Sequence, residues 1–317
     1  MIAAYAPASV SNVACGFDVL GFALEAPGDV VSVAPADGPG VRSLIVRGDD
    51  GRLPTDPARN TAGAAVIALL ERLETTRGVA LTVHKGLPLA SGVGSSAASA
   101  VAAVVAVNEL FGRPASLEVL LECAMAGERA ACGAAHPDNV APALYGGFVL
   151  ARAAAPPDIV RLPVPAHLAC AVLHPHMEIE TGAARALLGD AVPLGAAIKQ
   201  WANLGGLVAG LFTADLGLIA RSLVDHVVEP RRAALVPGFR AVQQAALGAG
   251  ALGCSLSGSG PSIFALCDAL PSAQRVGEAM RTVFAAESRA LAADLWTCEV
   301  GREGARIITG LAASVPR

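Results

Sequence analysis

Pro88-Leu89-Ala90-Ser91-Gly92-Val93-Gly94-Ser95-Ser96 is the stretch on which the reading of this chain turns. Its two glycines permit turn dihedrals closed to other residues and let main chain approach a ligand closely. Their N–H groups can converge on an anion. The alanine-rich run that follows, to about Leu110, has high helix propensity. Such a helix would open with further unpaired N–H groups aimed at the same point. Ser95 and Ser96 add hydroxyls able to donate to phosphate or ligate magnesium. The segment is not a P-loop, because Gly94 is followed by Ser95 and not by lysine. Nor is it a dinucleotide turn, because Ala97 occupies the third glycine position. A tight loop with a serine-capped helix is the plain structural alternative.

Working outward, 2–5 and 19–34 read as strands, as do 41–46 and 79–84. Asn60 or Thr61 suits the cap of a helix to about Leu73, with Val66, Leu69, Leu70 and Leu73 at helical spacing. A second helix is expected over 116–131, then a polar loop over 136–142 and a strand over 146–150. Prolines punctuate 153–167, which places a lobe boundary near residue 155. Beyond it, strands are expected at 168–173, 254–256, 263–267 and 295–300. Helices are expected at 181–188, 196–212, 215–227, 237–249 and 272–292. Ser257-Gly258-Ser259-Gly260-Pro261-Ser262 forms a second glycine-serine turn, and the sequence leaves open whether the two turns meet.

Composition narrows the function classes. The 317 residues are 54% apolar and 16% charged, which fits a well-buried globule. A formal net charge of −4 with scattered arginines argues against nucleic acid as the main partner. Seven cysteines, at 15, 123, 132, 170, 254, 267 and 298, form no CxxC pair and read as reduced, buried thiols. The longest apolar runs, 100–107 and 245–254, fall short of the roughly 20 residues a membrane span needs. Polar residues and prolines interrupt the first dozen positions, so a soluble cytoplasmic protein is expected.

Three blocks carry a resemblance: Pro7-Ala8-Ser9-Val10-Ser11-Asn12 running on to Gly16-Phe17-Asp18-Val19-Leu20-Gly21, the turn at 88–96, and the turn at 257–262. In that order and spacing the chain resembles the small-molecule kinases named for galactose, homoserine, mevalonate and phosphomevalonate, over nearly its whole length. His136-Pro137-Asp138-Asn139-Val140-Ala141-Pro142 and Arg232 through Pro237-Gly238-Phe239 are most similar to the branch that phosphorylates L-homoserine. The resemblance implies a two-lobed α+β fold with ATP in the cleft. It gives an N-terminal domain over 1–155 with the phosphate loop and a C-terminal domain over 156–317. It implies Mg2+, L-homoserine as substrate, O-phospho-L-homoserine as product within threonine biosynthesis, and a homodimer.

Residue by residue, it makes Asn12, Asp18 and His136 substrate-pocket residues, and Arg185 and Arg232 the pair that meets the substrate carboxylate. Pro88, Leu89, Ala90, Ser91, Gly92, Val93, Gly94, Ser95 and Ser96, with Gly258 and Gly260, would hold the nucleotide phosphates. Asn60 falls where the adenine pocket is contributed, and Ser96 with Glu128 resembles the magnesium-binding pair. Asp138 stands near where some relatives keep an aspartate as proton acceptor, with Asn139 beside it as a further candidate, while the branch acting on L-homoserine is expected to lack an obvious base and to let the phosphate receive the proton. Cys15 departs from a block that often carries a smaller residue. Lys85 precedes the turn, but proximity alone does not make it a phosphate ligand. Each residue also has a structural reading: Asn12 and Asp18 suit loops anchored by local backbone bonds, and arginines are common at surfaces. Two other functions stay open: a relative acting on mevalonate or a sugar, and a non-catalytic small-molecule sensor.

Overall fold

The computed structural model describes residues 1–288 and 291–309, apart from the side chain of Cys132. Two long antiparallel strands open the chain, β1 (Ile2–Ser11) and β2 (Leu20–Ala36), followed by β3 (Gly40–Arg47), α1 (Thr61–Arg72) and β4 (Gly78–His84). Three helices come next: α2 (Ser95–Leu110), α3 (Leu117–Cys132) and α4 (Pro137–Tyr145). The hairpin of β5 (Phe148–Ala154) and β6 (Pro157–Leu162) leads to β7 (Ala169–Pro175). Then come α5 (Thr181–Ala186), α6 (Leu194–Thr213), α7 (Leu216–Ser222) and α8 (Glu229–Arg232). The remainder holds α9 (Phe239–Gly248), β8 (Gly253–Leu256), β9 (Ile263–Cys267), α10 (Leu270–Glu287), β10 (Ala293–Glu299) and β11 (Arg306–Ile308).

The first sheet runs β11-β1-β2-β4-β3, and the start of β2 also takes β5, with β6 beyond it. β3 and β4 are parallel because α1 carries the chain back over the sheet between them. The alanine-rich α2 lies at the centre, against β1 and β2 and beneath α1, α3 and α4. Twelve of its sixteen residues are buried. A helix covered on nearly every side needs small side chains for so many neighbours to approach, which is what its alanines supply.

The second sheet is antiparallel, in the order β10-β7-β9-β8. Its inner strands are buried on both faces, and the period of two divides them. Cys170, Val172, Phe264 and Leu266 join the core around α2. Ala169, Leu173, Ile263 and Ala265 face the core beneath α9 and α10. The sheets are stitched where Gly301 N–H donates to Ala23 O (2.9 Å) and Val300 N–H to Leu168 O (2.9 Å). The α+β class is as expected, and most elements fall where the sequence places them. The former expectation of a helix to residue 292 runs in part over residues 289–290, which lie outside the described residues.

The polar loop expected at 136–142 is instead the helix α4, with His136 as its N-cap residue and Pro137 in its first turn. Proline is tolerated there because that N–H has no intrahelical partner anyway. Pro142 within the helix lacks the N–H that would bond the Asp138 carbonyl. β2 lies against that carbonyl at Gly21, where an added Cβ would fall 1.9 Å from the oxygen. β6, β11 and α8 were not anticipated either, being short and set among prolines, arginines or charged turns. Gly21→Ala should therefore push α4 off β2 and cost roughly 3 kcal/mol, the upper range for overpacking. Urea denaturation measures this, and an unchanged midpoint would show that the contact yields freely.

Candidate functional site

The three sequence blocks converge on one cleft of about 530 Å³. The turn between β4 and α2 forms its floor. Gly92 and Gly94 adopt left-handed backbone (φ 78° and 67°), and Gly94 is the N-cap residue of α2 with no side-chain cap. The first N–H groups of α2 are thus left to a ligand. Gly92 also meets the second turn: Ser257 Oγ donates to Gly92 O (2.7 Å) and Ser262 N–H to Ser91 O (3.2 Å). A Cβ on Gly92 would sit 2.4 Å from Ser257 O and 2.7 Å from Gly260 O. The first block closes the third side, with Ser9 N–H donating to Val93 O (3.1 Å) and Gly258 N–H to Ser11 O (3.2 Å).

Leu89, Ala90, Ser91, Gly92, Gly94, Ser95 and Ser96 line the cleft, as does Asn60 at the start of α1. Pro88, Val93 and Gly260 lie behind this lining and shape the turns. Lys85 is fully engaged. Its ammonium pairs with buried Asp29 and donates to Ser95 O (2.9 Å) and Ser99 Oγ (2.9 Å). Asp29 accepts in addition from the backbone of Gly86 (2.9 Å) and Leu87 (3.2 Å). The lysine clamps the turn to α2, and none of its three donors is left over for a phosphate.

At the other end of the cleft stand the polar residues. Asn12 Nδ2 donates to Gly258 O (2.8 Å), and its Oδ1 accepts from Asp18 N–H (3.0 Å). Asn12, Val13, Ala14 and Asp18 all have positive φ, strain that the surrounding contacts hold in place. Arg185 Nη2 donates to Asp18 Oδ1 (2.8 Å). Arg232 is 2% exposed and lines the same wall, with Nε on Ala184 O (3.2 Å) and Nη1 on Gly258 O (3.2 Å). Among the described residues no carboxylate lies within ion-pair distance of it. Its neighbour Arg231 points elsewhere, toward Ala191 O. His136, Asp138 and Asn139 complete this end, and Ser9 Oγ donates to Asn139 Oδ1 (3.1 Å).

The chain matches the family descriptions "GHMP kinases N terminal domain" over residues 60–147 and "GHMP kinases C terminal" over 207–286. It is 49% identical over 314 residues to a homoserine kinase of Chlorobium phaeovibrioides, covering 96% of this chain and 98% of that one. Against a homoserine kinase of Chlorobaculum tepidum it is 48% identical over 319 residues, covering 97% and 98%. The crystal structure of a homoserine kinase from Cytophaga hutchinsonii superposes with a TM-score of 0.93 at 51% identity, covering 97% of each chain. This chain belongs to the GHMP kinase family.

In this GHMP kinase two buried carboxyls, carried by different helices, line the cleft. Glu128 of α3 has an Oε1 without a hydrogen-bond partner among the described residues, and burial raises its pKa to about 7 against the lowering effect of Ser96 and Lys85. One carboxylate and one hydroxyl beside a phosphate site suit Mg2+, which keeps several waters and draws other ligands from phosphates. Asp138 of α4 likewise has an unpartnered Oδ1, and burial first, then the charge of Asp18, raises its pKa to about 7. Burial also lowers the pKa of His136, which leaves the ring neutral at pH 7.

Sequence reasoning missed Phe17 as a site residue. It lines the cleft, and the guanidinium carbons of Arg185 and Arg232 lie 5.4 and 5.3 Å from its ring centre. It stood inside the Gly16–Gly21 block, but nothing in the sequence told that two cations share its ring. Asp29 carried no signal either, being an isolated acid within a strand.

A folded-state pKa near 7 for Asp138 lies above the unfolded value near 4. The folded state therefore favours the protonated acid. Stability is fullest below the unfolded pKa and falls as pH rises toward the folded one. Relative to the parent, Asp138→Asn should stabilise the unliganded protein at pH 8 by about 4 kcal/mol, shrinking toward zero below about pH 4. Thermal melts across that range measure the difference, and a gain independent of pH would contradict the assignment.

Proposed function

We propose that this GHMP kinase transfers the γ-phosphoryl group of ATP to the side-chain hydroxyl of L-homoserine, giving O-phospho-L-homoserine and ADP. The observation that carries the substrate class is Arg232, a buried cation facing the cleft with no carboxylate in ion-pair distance among the described residues. A buried guanidinium calls for an anion, and a carboxylate matches its fork. Arg185 and Asp18 beside it supply one further positive and one negative charge. An α-amino acid carries both complementary charges on one carbon, so its carboxylate would meet the arginines and its ammonium Asp18. Asn12 and neutral His136 would orient what remains. The relatives at 48–49% identity are homoserine kinases, which supports this reading.

The N–H groups around residues 92–96 and the start of α2 would cradle the triphosphate, with Asn60 toward the base. Ser96 and Glu128 would hold Mg2+. That ion, when bound, neutralises charge on the transferring phosphoryl. In the step, the substrate oxygen bonds to the γ-phosphorus as the bond to the β,γ-bridging oxygen breaks. The hydroxyl proton passes to Asp138, whose unpartnered oxygen and pKa of about 7 suit a proton acceptor at neutral pH. Asn139, held by Ser9, would brace this end of the site.

The two sheets mark two lobes. A lobe division near residue 155 stays part of this reading, and the pairing of β6 with β5 and of β11 with β1 supports a boundary just beyond it, with β11 beside the first lobe. Among the described residues no helix is long and apolar enough to cross a membrane. A cytoplasmic homodimer remains our expectation, for cell fractionation and sedimentation to check.

Coupled ATP turnover with L-homoserine, D-homoserine, L-threonine and mevalonate side by side tests the substrate. L-homoserine should be strongly preferred, and equal or better turnover of mevalonate would overturn the assignment. Arg232→Met should lower kcat/KM for L-homoserine roughly 10- to 100-fold, the worth of a charge-assisted bond. Asp138→Asn should lower kcat by about 10²- to 10⁴-fold with the homoserine KM little changed. A loss under about tenfold would remove Asp138 from the proton transfer.

A further inference from the structure

α6 buries only four residues, Gln200, Leu207, Gly210 and Leu211, and of these only Gln200 is polar. Burying a primary amide is costly unless its hydrogen bonds are met, and an apolar side chain of the same size would pack there at no such cost. Here they are met in a particular way. Gln200 Nε2 donates to Cys15 O (3.1 Å) and to Asp225 Oδ1 (3.0 Å), while Oε1 accepts from His226 N–H (2.8 Å).

The two ends of this bridge lead to opposite sides of the amino-acid end of the cleft. Cys15 belongs to the strained loop that carries Asn12, Phe17 and Asp18. Asp225 holds the turn into α8. Its Oδ1 accepts from Val227 N–H (2.8 Å) and Val228 N–H (3.0 Å), and its Oδ2 from Glu229 N–H (2.7 Å). α8 ends at Arg232. Glu229 anchors the same short helix from its far side, accepting from Ser255 Oγ (2.6 Å), Arg240 (2.5 Å) and Gln243 (3.1 Å). A small void of about 10 Å³, room for one water at most, lies among Asn12, Asp225 and Arg232. The loop and Arg232 also meet at Gly258 O, which accepts from Asn12 Nδ2 (2.8 Å) and Arg232 Nη1 (3.2 Å), whereas Gln200 is the side chain that ties the loop to the turn entering α8.

We infer that Gln200, acting with Asp225, is a positioning residue that sets the separation between the Asp18 loop and Arg232, and so the fit of the site to an α-amino acid. This rests on the functional reading above. Gln200 touches no reacting atom. It fixes how far the group facing an ammonium stands from the group facing a carboxylate, a distance a substrate with both charges on one carbon must match. The nucleotide end is untouched, because the turn at 88–96 is held by Ser9, Ser257 and Lys85 instead.

The test is steady-state kinetics of the full-length protein with Gln200→Met and Gln200→Glu, each with a thermal melt. The first removes the bridge while keeping the volume. The second keeps the acceptor for His226 but loses the donors and sets a carboxylate beside Asp225. Both should raise the KM for L-homoserine by at least ~10-fold, since small misplacements of positioning groups are costly. The KM for ATP should stay within about twofold, because the lost binding is on the acceptor side only. An unchanged homoserine KM in an active, folded variant would overturn this assignment alone. So would KM values for both substrates rising together with a lowered melting temperature, or failure of both variants to fold, since each marks a scaffold residue. A parent protein that folds and binds ATP but ignores L-homoserine would overturn the functional reading, and this assignment with it.

Discussion

The closure of one glycine turn on the other is the contact on which the rest of the site depends. Gly92 lies so near Ser257 O and Gly260 O that no side chain fits between them. That closeness brings the end of β4, the entry to α2 and the loop between β8 and β9 to one place. It sets the second sheet relative to the first, because β8 and β9 hang from the same loop. Asn12 and Arg232 then both lean on Gly258 O, so the polar end of the cleft is built outward from the glycine turns. Small residues here serve approach between main chains as much as they serve turn conformation.

Charge in the cleft is arranged by neighbourhood more than by count. Lys85 and Asp29 neutralise each other under the turn and leave the floor to main-chain dipoles. Arg185 and Asp18 pair at a half-exposed position, where such a pair is worth little and exchanges readily for other partners. Arg232 is deeply buried and lacks that freedom. Burial lowers its pKa, with Arg185 adding to the effect. The two carboxyls raised by burial, Glu128 and Asp138, stand on different helices lining the same cavity and answer to different neighbours, Ser96 and Lys85 for one, Asp18 and Arg185 for the other.

Much of this was legible in the sequence, for identifiable reasons. The turn at 88–96 announces itself through glycine spacing and the helix that follows, and Asn60 through capping chemistry. Convergence of the two glycine turns was not legible, since it depends on a crossover between sheets that no local pattern encodes. α4 was misread because His-Pro-Asp-Asn has the composition of a loop, although proline in a first turn is also a helix start. Phe17, Asp29 and Gln200 escaped notice because each acts through partners far away in the chain. Gln200 is 185 residues from the carbonyl it holds, and Asp29 is 70 from Ser99.

The pairing of β1 with β11 has a bearing on how the molecule comes into being. Tyr5 faces Arg306 across that seam, so β1 is flanked by the last of the described strands. Until β11 is made, one rim of β1 presents bare N–H and C=O groups, the kind of rim on which neighbouring nascent chains can pair. Three residues of β11 thus seal a seam that stands open while every element between the two strands is being made.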